Sequence, residues 1–138
     1  MVVDESTDFG ARVAAHLRED VVVWLTTVSP KGAPLPTPVW FLWDGADRVR
    51  IQSLPSARRV RDLAANAAVS LNFAGDGEGG DIVVLSGRAS VGGDAGPVPE
   101  EYDDKYRARM EGLGVTPEQF AARYSDAIVV ELTRAHGH

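Results

Sequence analysis

The chain has 138 residues, 44% of them hydrophobic and 25% charged, an ordinary globular composition that can fill one sizeable core, so a single domain, 1–138, is expected. A net charge of -6 argues against a general nucleic-acid or anionic-membrane binder, because such proteins gain affinity by neutralising phosphates with surplus basic residues. The absence of cysteine excludes a disulfide framework, a thiolate nucleophile and a Cys metal site; the charged N-terminus is no signal peptide, and no apolar run approaches the roughly 20 residues of a membrane span, so a cytoplasmic protein is expected.

In chain order, Phe9 to Glu19 reads as a short amphipathic helix, with Phe9, Val13 and Leu17 on one face and Ser6, Thr7 or Asp8 as N-cap. Val21 to Ser29 is rich in β-branched and aromatic residues and ends in the turn signal SPKGAP. Leu35 to Trp43 returns as a second strand and closes at the Asp-Gly turn of Asp44 to Asp47. Arg48 to Ser53 follows as a third strand, Ala57 to Asn66 as a short helix, and Ala68 to Phe73 as a fourth strand. Beyond the loop AGDGEGGD, Ile82 to Val91 is a long fifth strand in which Gly87 marks a bulge or bend. A helix starts at Pro99 and stops at Gly112 or Gly114, and Thr116 caps another with Pro117 in its first position. The run AIVVEL closes the chain as a sixth strand.

Six short strands with a small helix between the third and fourth predict a mainly β fold, a closed or nearly closed antiparallel barrel with peripheral helices. Both faces of the second strand are apolar: Val39, Phe41 and Trp43 point one way, Trp40 and Leu42 the other. Only one face can fill the interior. A second copy of the chain is the simplest cover for the other, and the chain's own helices are the alternative.

Of the 14 Lys and Arg residues, Arg48, Arg50, Arg58, Arg59 and Arg61 crowd one region, with no acid between Asp47 and Asp62. With Ser56 as N-cap, Arg58 and Arg59 fall in the first turn of the following helix, where the partial positive charge of the helix terminus disfavours them by about 0.3 to 1 kcal/mol each. A bound phosphate resolves the conflict, held by free N–H groups, the Ser53 and Ser56 hydroxyls and two guanidinium forks. A solvated basic face paired with Asp or Glu elsewhere is the alternative.

Other motifs carry less. Gly75, Gly77 and Gly80 match G-x-G-x-x-G, yet a strand follows and Asp76, Glu78 and Asp81 would repel a pyrophosphate, so a hairpin loop is expected. There is no P-loop and no nucleophile elbow. His16 lies on a helix and His136 and His138 in a frayed tail, so no metal site is expected.

The ordered segments VVVWLTTVSPKGAPLPTPVWFLWDG, RIQSLPSARRVRDLAANAAVSLNF and GGDIVVLSGRASV resemble the pyridoxamine 5'-phosphate oxidase-like superfamily of flavin-binding split barrels, and within it the actinobacterial branch of coenzyme F420-dependent oxidoreductases. The resemblance spans residues 20 to 138. It implies a homodimer of six-stranded split barrels with cofactor sites in grooves between subunits. It also implies that Ser56, Arg58 and Arg59 hold the cofactor phosphate, that Gln52 and Ser53 touch the phosphate or ribityl chain, and that Thr37, Pro38, Val39 and Trp40 run beside the ring. The oxidases that make pyridoxal phosphate are longer, and their substrate-phosphate residues have no match here. The common N-P after the helix is Asn66 and Ala67 here.

The expected function is therefore hydride transfer between F420 and a small organic substrate. FMN at the same phosphate site is the alternative cofactor, and a non-catalytic carrier or sensor the alternative role. The longer anionic tail of F420 would need further basic residues, for which Arg48, Arg50, Arg61 or Lys31 are available. The helices from Pro99 to Tyr124 form a lid or wall, or simply pack.

Overall fold

The structure, a computed structural model, describes residues 1–92 and 95–138. The elements in chain order are α1 (Asp8–Glu19), β1 (Val23–Val28), β2 (Pro34–Val39), β3 (Leu42–Trp43), β4 (Arg48–Ser53), α2 (Arg58–Ala65), β5 (Ala68–Asn72), β6 (Val83–Val91), α3 (Glu100–Gly112), α4 (Pro117–Arg123) and β7 (Asp126–Gly137). All strand pairs are antiparallel, in the order β2-β1-β5-β6-β7-β4-β3. The fold is the mainly β split barrel expected, with peripheral helices.

The expected second strand, Leu35 to Trp43, is two strands, and the sheet therefore has seven rather than six. β2 pairs with β1, from Val23↔Val39 to Val28↔Pro34, whereas β3 pairs with β4 through Leu42↔Arg50 and Trp43↔Val49. Alternation persists across the break, with Val39, Phe41 and Trp43 all buried, so side-chain pattern alone gave no sign of it.

The break dictates the shape of the sheet. β2 and β3 occupy its opposite edges yet are joined by Trp40 and Phe41 alone. Laid flat, seven strands at about 4.8 Å spacing would hold those edges about 29 Å apart. Three Cα steps reach at most about 11 Å. The sheet must curl, and its interior fills with Leu25, Phe41, Val49, Ile51, Leu71, Leu85, Ile128 and Val130, closed at one end by Val13, Ala14 and Leu17 of α1. Thr7 caps α1, its hydroxyl accepting from Gly10 N–H at 3.0 Å.

At the break, Phe41 cannot complete a ladder with either edge, and Tyr106 of α3 takes over. Its hydroxyl accepts from Phe41 N–H at 2.8 Å and donates to the Val21 carbonyl at 2.7 Å. Lys105 Nζ donates to the Phe41 carbonyl at 2.9 Å and lies 3.6 Å from the centroid of the Phe41 ring. Burial pushes the Tyr106 phenol up to about 12, so it stays protonated and able to donate at neutral pH. Tyr102, Tyr106 and Met110, spaced i, i+4, i+8, form the buried face of α3.

That face covers Trp40 and Leu42. Together with Phe120 it makes a second apolar cluster, so the chain's own helices, and not a second copy, cover the outward face of this segment. Trp40 stacks on Tyr106 at 4.5 Å and on Phe120 at 5.2 Å.

Two further expectations change, and two hold. The N-cap of α2 is Ala57, with no side-chain cap bond, and Ser56 is exposed outside it. The closing strand runs on to Gly137, pairing with β6 as far as Val83↔Gly137, so His136 lies in a ladder rather than a frayed tail. Gly87 does mark a register shift between β6 and β7; a Cβ there would meet the Glu131 carbonyl oxygen at 2.6 Å. The capping box of α4, Thr116 with Gln119, forms as the sequence requires.

The two buried tyrosines of α3 make a direct test of the Phe41 staple. Tyr106→Phe strands Phe41 N–H and is expected to cost about 1 to 3 kcal/mol in urea denaturation. Tyr102→Phe removes a buried hydroxyl that has no partner and should be neutral or stabilising. Equal effects would contradict this assignment.

Candidate cofactor cleft

Between the two edges of the curled sheet a gap is bordered by the end of β2, by β4, by α4 and by Arg59 of α2. The resulting cleft of about 330 Å³ is lined by Val22, Pro38, Val39, Trp40, Gln52, Arg59, Leu113, Phe120 and Tyr124. That volume suits a small ligand, and the lining is what such sites use: an apolar, aromatic wall with a few polar groups. Phe120 and Tyr124, four apart on and just beyond α4, stack at 4.4 Å and continue the Tyr106–Trp40 ladder into the wall.

Arg59 is the charged group of the cleft. Its Nη1 donates to the buried Ser53 hydroxyl at 3.1 Å, while its Nε is buried with no partner. Burial pulls the guanidinium down from its ordinary value, but an arginine stays ionised. Among the described residues Arg59 is in no ion pair. A half-buried cation with a buried, unused N–H, at the first turn of a helix that carries no acid there, fits the phosphate of a flavin-type cofactor.

Gln52, also buried, ties the cleft to its surroundings. Its Nε2 donates to the Tyr124 carbonyl at 2.9 Å and its Oε1 accepts from Arg50 Nε at 2.8 Å. Arg50 in turn donates to the carbonyls of Ala95 and Gly96 at 2.6 and 2.7 Å. The relay fixes β4 against the end of α4 and the loop before α3.

Of the nine residues expected at the site, Pro38, Val39, Trp40, Gln52 and Arg59 line the cleft, and Ser53 supports Arg59 from behind. Thr37 is half-buried, its hydroxyl turned to the Leu25 carbonyl at 3.5 Å. Ser56 and Arg58 are exposed and outside the lining; Arg58 Nε lies 3.6 Å from Asp62, a buried carboxylate that accepts from the Thr27 hydroxyl at 2.9 Å and so pins α2 to β1. The arginine cluster thus divides its work. Arg48 pairs with Glu131 at 2.7 Å and Arg50 serves the relay, which leaves Arg61 and Lys31 as exposed cations.

Sequence reasoning missed Val22, Leu113, Phe120 and Tyr124. For the last two the signal was present, since i, i+4 aromatics on a short helix must face one thing; what they face is set by the fold.

A larger cavity, about 470 Å³, lies against α1 and shares no residue with the cleft; Arg12, His16, Glu19, Asp20, Asp81 and His138 contribute to it. Four of its polar groups, Arg12, His16, Asp20 and Asp81, already satisfy one another. His16 bridges Asp20 at 2.8 Å and Asp81 at 2.9 Å, Arg12 meets Asp81 at 2.8 Å, and the imidazole stacks on Phe73 at 5.0 Å. The cluster is a clamp between α1 and the loop before β6. The loop itself is the hairpin connection expected, with Asp76 accepting from the N–H groups of Glu78 and Gly80. Among the described residues no His, Asp or Glu cluster suits a metal, and no helix is long and apolar enough to cross a membrane.

A sequence model of pyridoxamine 5'-phosphate oxidase matches residues 9–138, nearly the whole chain. The chain belongs to this family. No curated protein matches it in sequence. Among solved structures it is similar to an F420 reductase, at 21% identity and TM-score 0.64 over 88% of this chain and 94% of that one. It is similar to HutZ, a heme storage protein of Vibrio cholerae, at 17% identity and TM-score 0.58 over 95% and 93%. It is also similar to the conserved hypothetical protein Rv2991 of Mycobacterium tuberculosis, at 15% identity and TM-score 0.62 over 91% and 81%. Likeness at these identities establishes the split-barrel fold.

The His16 clamp predicts a pH signature. Burial lowers the imidazole's proton affinity, but its bonds to Asp81 and Asp20 outweigh that and hold its pKa above 6.5. Asp81 is held below 3.8, chiefly by His16 and then by Arg12. The His16 contribution to stability is complete below pH 6.5 and is lost as pH rises through the folded value; the Asp81 contribution is complete above pH 3.8 and is lost as pH falls below it. The stability difference between wild type and His16→Gln should therefore be greatest between pH 3.8 and 6.5 and shrink above that window. Urea melts at several pH values read it directly, and a flat difference would contradict the clamp.

Proposed function

We propose that the protein is an oxidoreductase that uses coenzyme F420 to transfer a hydride to or from a small organic substrate in the cleft between β2 and α4. The observation that carries this reading is Arg59: a half-buried cation in no ion pair, with a buried Nε that has no partner, in an aromatic-walled slot matches a ligand with a phosphate at one end and a flat apolar ring system at the other. Membership of a family that typically binds flavin supports it. FMN has the same ribityl phosphate and is the alternative occupant of the same groups.

When bound, the cofactor supplies the hydride chemistry. The protein's part is to bind, orient and exclude water. Arg59 and Ser53 fix the phosphate end. Trp40, held flat between Tyr106 and Phe120, gives the wall its orientation, and Val22, Val39 and Leu113 keep the slot apolar. The lining contains no carboxylate, histidine or lysine, so proton exchange falls to solvent or to the Tyr124 hydroxyl.

The cleft opens beside Val22, Trp24 and Leu113, which with Met1 are the exposed large hydrophobics among the described residues; Trp24 is the cross-strand partner of Pro38. An apolar rim of this kind favours a second copy of the chain as cover, making a homodimer with the cleft at its interface.

Titration with F420 and FMN, following cofactor fluorescence, tests the assignment when run on wild type, Arg59→Met and Arg58→Met, with size exclusion on each sample. Wild type should bind as a dimer. Arg59→Met should bind about 10- to 150-fold more weakly, the loss of a charged hydrogen bond, while Arg58→Met changes little. Equal losses would move the phosphate away from Arg59. Binding without oxidation of the reduced cofactor across a panel of enones, quinones and nitroaromatics would indicate a carrier or sensor.

A further inference from the structure

The ladder between β1 and β2 is regular from Val28↔Pro34 to Val23↔Val39. Proline has no N–H, so the ladder bonds of β2 run through Leu35, Thr37 and Val39, and the same pattern continued two residues on would pair Phe41 directly with Val21. The two do not pair. The Tyr106 hydroxyl stands between them as a wedge, accepting from Phe41 N–H at 2.8 Å and lying 2.7 Å from the Val21 carbonyl oxygen and 3.0 Å from that of Phe41. A phenol has one proton to donate and cannot serve both carbonyls. Lys105 Nζ, one residue back on α3, donates to the Phe41 carbonyl at 2.9 Å and frees the phenol for Val21. Val22 and Trp40, the neighbours of these two anchored peptides, are the residues that line the cleft where the strands part.

We infer that Lys105, which does not itself line the cleft, is a positioning residue for it: its donor lets Tyr106 bridge Val21 and Phe41, and this holds Val22 and Trp40 at the separation that sets the width of the slot. This rests on the cofactor reading of the cleft and deepens it. Without that donor one of the two carbonyls loses its partner, and either the Val22 side or the Trp40 side comes loose from the wedge. The charge of Lys105 strengthens the hold, because the ammonium lies 3.6 Å from the centroid of the Phe41 ring. Burial pulls the ammonium down to about 8; Asp20 at the C-cap of α1, which also pairs with His16, favours the charged form, and Arg109, one turn on along α3, opposes it. Trp40 and Phe41 carry no charge of their own. The unfolded chain keeps this proton up to about 10.5 and the folded chain only to about 8, so the fold gains stability as pH rises between those values. The hold on Phe41 weakens over the same range, as ammonium becomes amine. Below pH 8 the fold therefore carries a buried charge that serves the cleft.

Lys105→Met keeps the apolar stem and loses the donor and the charge, whereas Lys105→Arg keeps both at every working pH. Wild type and both variants are compared by fluorescence titration with F420 and FMN at pH values either side of about 8, and by amide hydrogen exchange, with circular dichroism as the fold control. Lys105→Met should bind cofactor about three- to tenfold more weakly, the worth of one hydrogen bond. Exchange should quicken from Asp20 to Val23 and from Trp40 to Leu42, and not in β6. Lys105→Arg should bind as wild type does below pH 8, and the ratio of wild-type to Lys105→Arg affinity, from which the cofactor's own titration cancels, should fall as pH passes that value. A lysine that merely packs would leave this ratio flat, and the ratio decides if Lys105→Met does not fold. Unchanged affinity and exchange in a folded Lys105→Met, a Lys105→Arg that binds no better than Lys105→Met, or a flat ratio overturns this inference and leaves the cofactor site intact. A wild type that binds neither cofactor overturns the cofactor reading, and exchange in the two segments then decides this inference by itself.

Discussion

The bonds between Tyr106 and the backbone at Phe41 are the point on which the rest of the structure depends. A seven-stranded sheet whose two edges are joined by two residues has to curl, and at the joint one peptide has no strand beside it. A buried peptide left unsatisfied there would cost about 1 to 3 kcal/mol, comparable to a large share of a small domain's stability. Tyr106 and Lys105 satisfy both ends of Phe41 from a single turn of α3. The same docking presses Trp40 flat against Tyr106, brings α4 alongside, and so builds the aromatic wall of the cleft. Fold closure and site construction are one event in this chain.

Electrostatics around the cleft are arranged by subtraction. Five arginines lie close in sequence, but Arg48 and Arg58 are met by Glu131 and Asp62, and Arg50 is consumed by carbonyls and Gln52. What reaches the cleft is the single charge of Arg59, held by Ser53 and short of one partner. A single half-buried cation is screened by salt less than a diffuse, fully exposed basic face. The overall acidity of the chain works in the same direction, opposing extended polyanions while leaving the local site open.

Much of this was legible in the sequence because local chemistry decided it. Thr116-Pro117 fixed the start of α4, Asp-Gly the turn after Trp43, and Gly87 the bulge where no Cβ fits. The acid-free first turn of α2, with Arg58 and Arg59 in it, was equally plain in the sequence. What was hidden is non-local. The alternation Val39, Phe41, Trp43 is identical whether the strand is continuous or broken, because pairing partners lie elsewhere in the chain. The placement of Arg58 outside the cleft and Arg59 inside it turns on about 100° of helix rotation, which Ala57 rather than Ser56 as N-cap sets. Phe120 and Tyr124 show their shared face in sequence, but not that Trp40 fills it.

The most direct measurement is a crystal structure of the protein grown with F420. The account predicts ring density in the slot between Pro38 and the Trp40–Phe120–Tyr124 wall, with the phosphate on Arg59 Nε. Density for the cofactor in the cavity beside His16, or a phosphate held by Arg58 and Arg61 with Arg59 untouched, would contradict it.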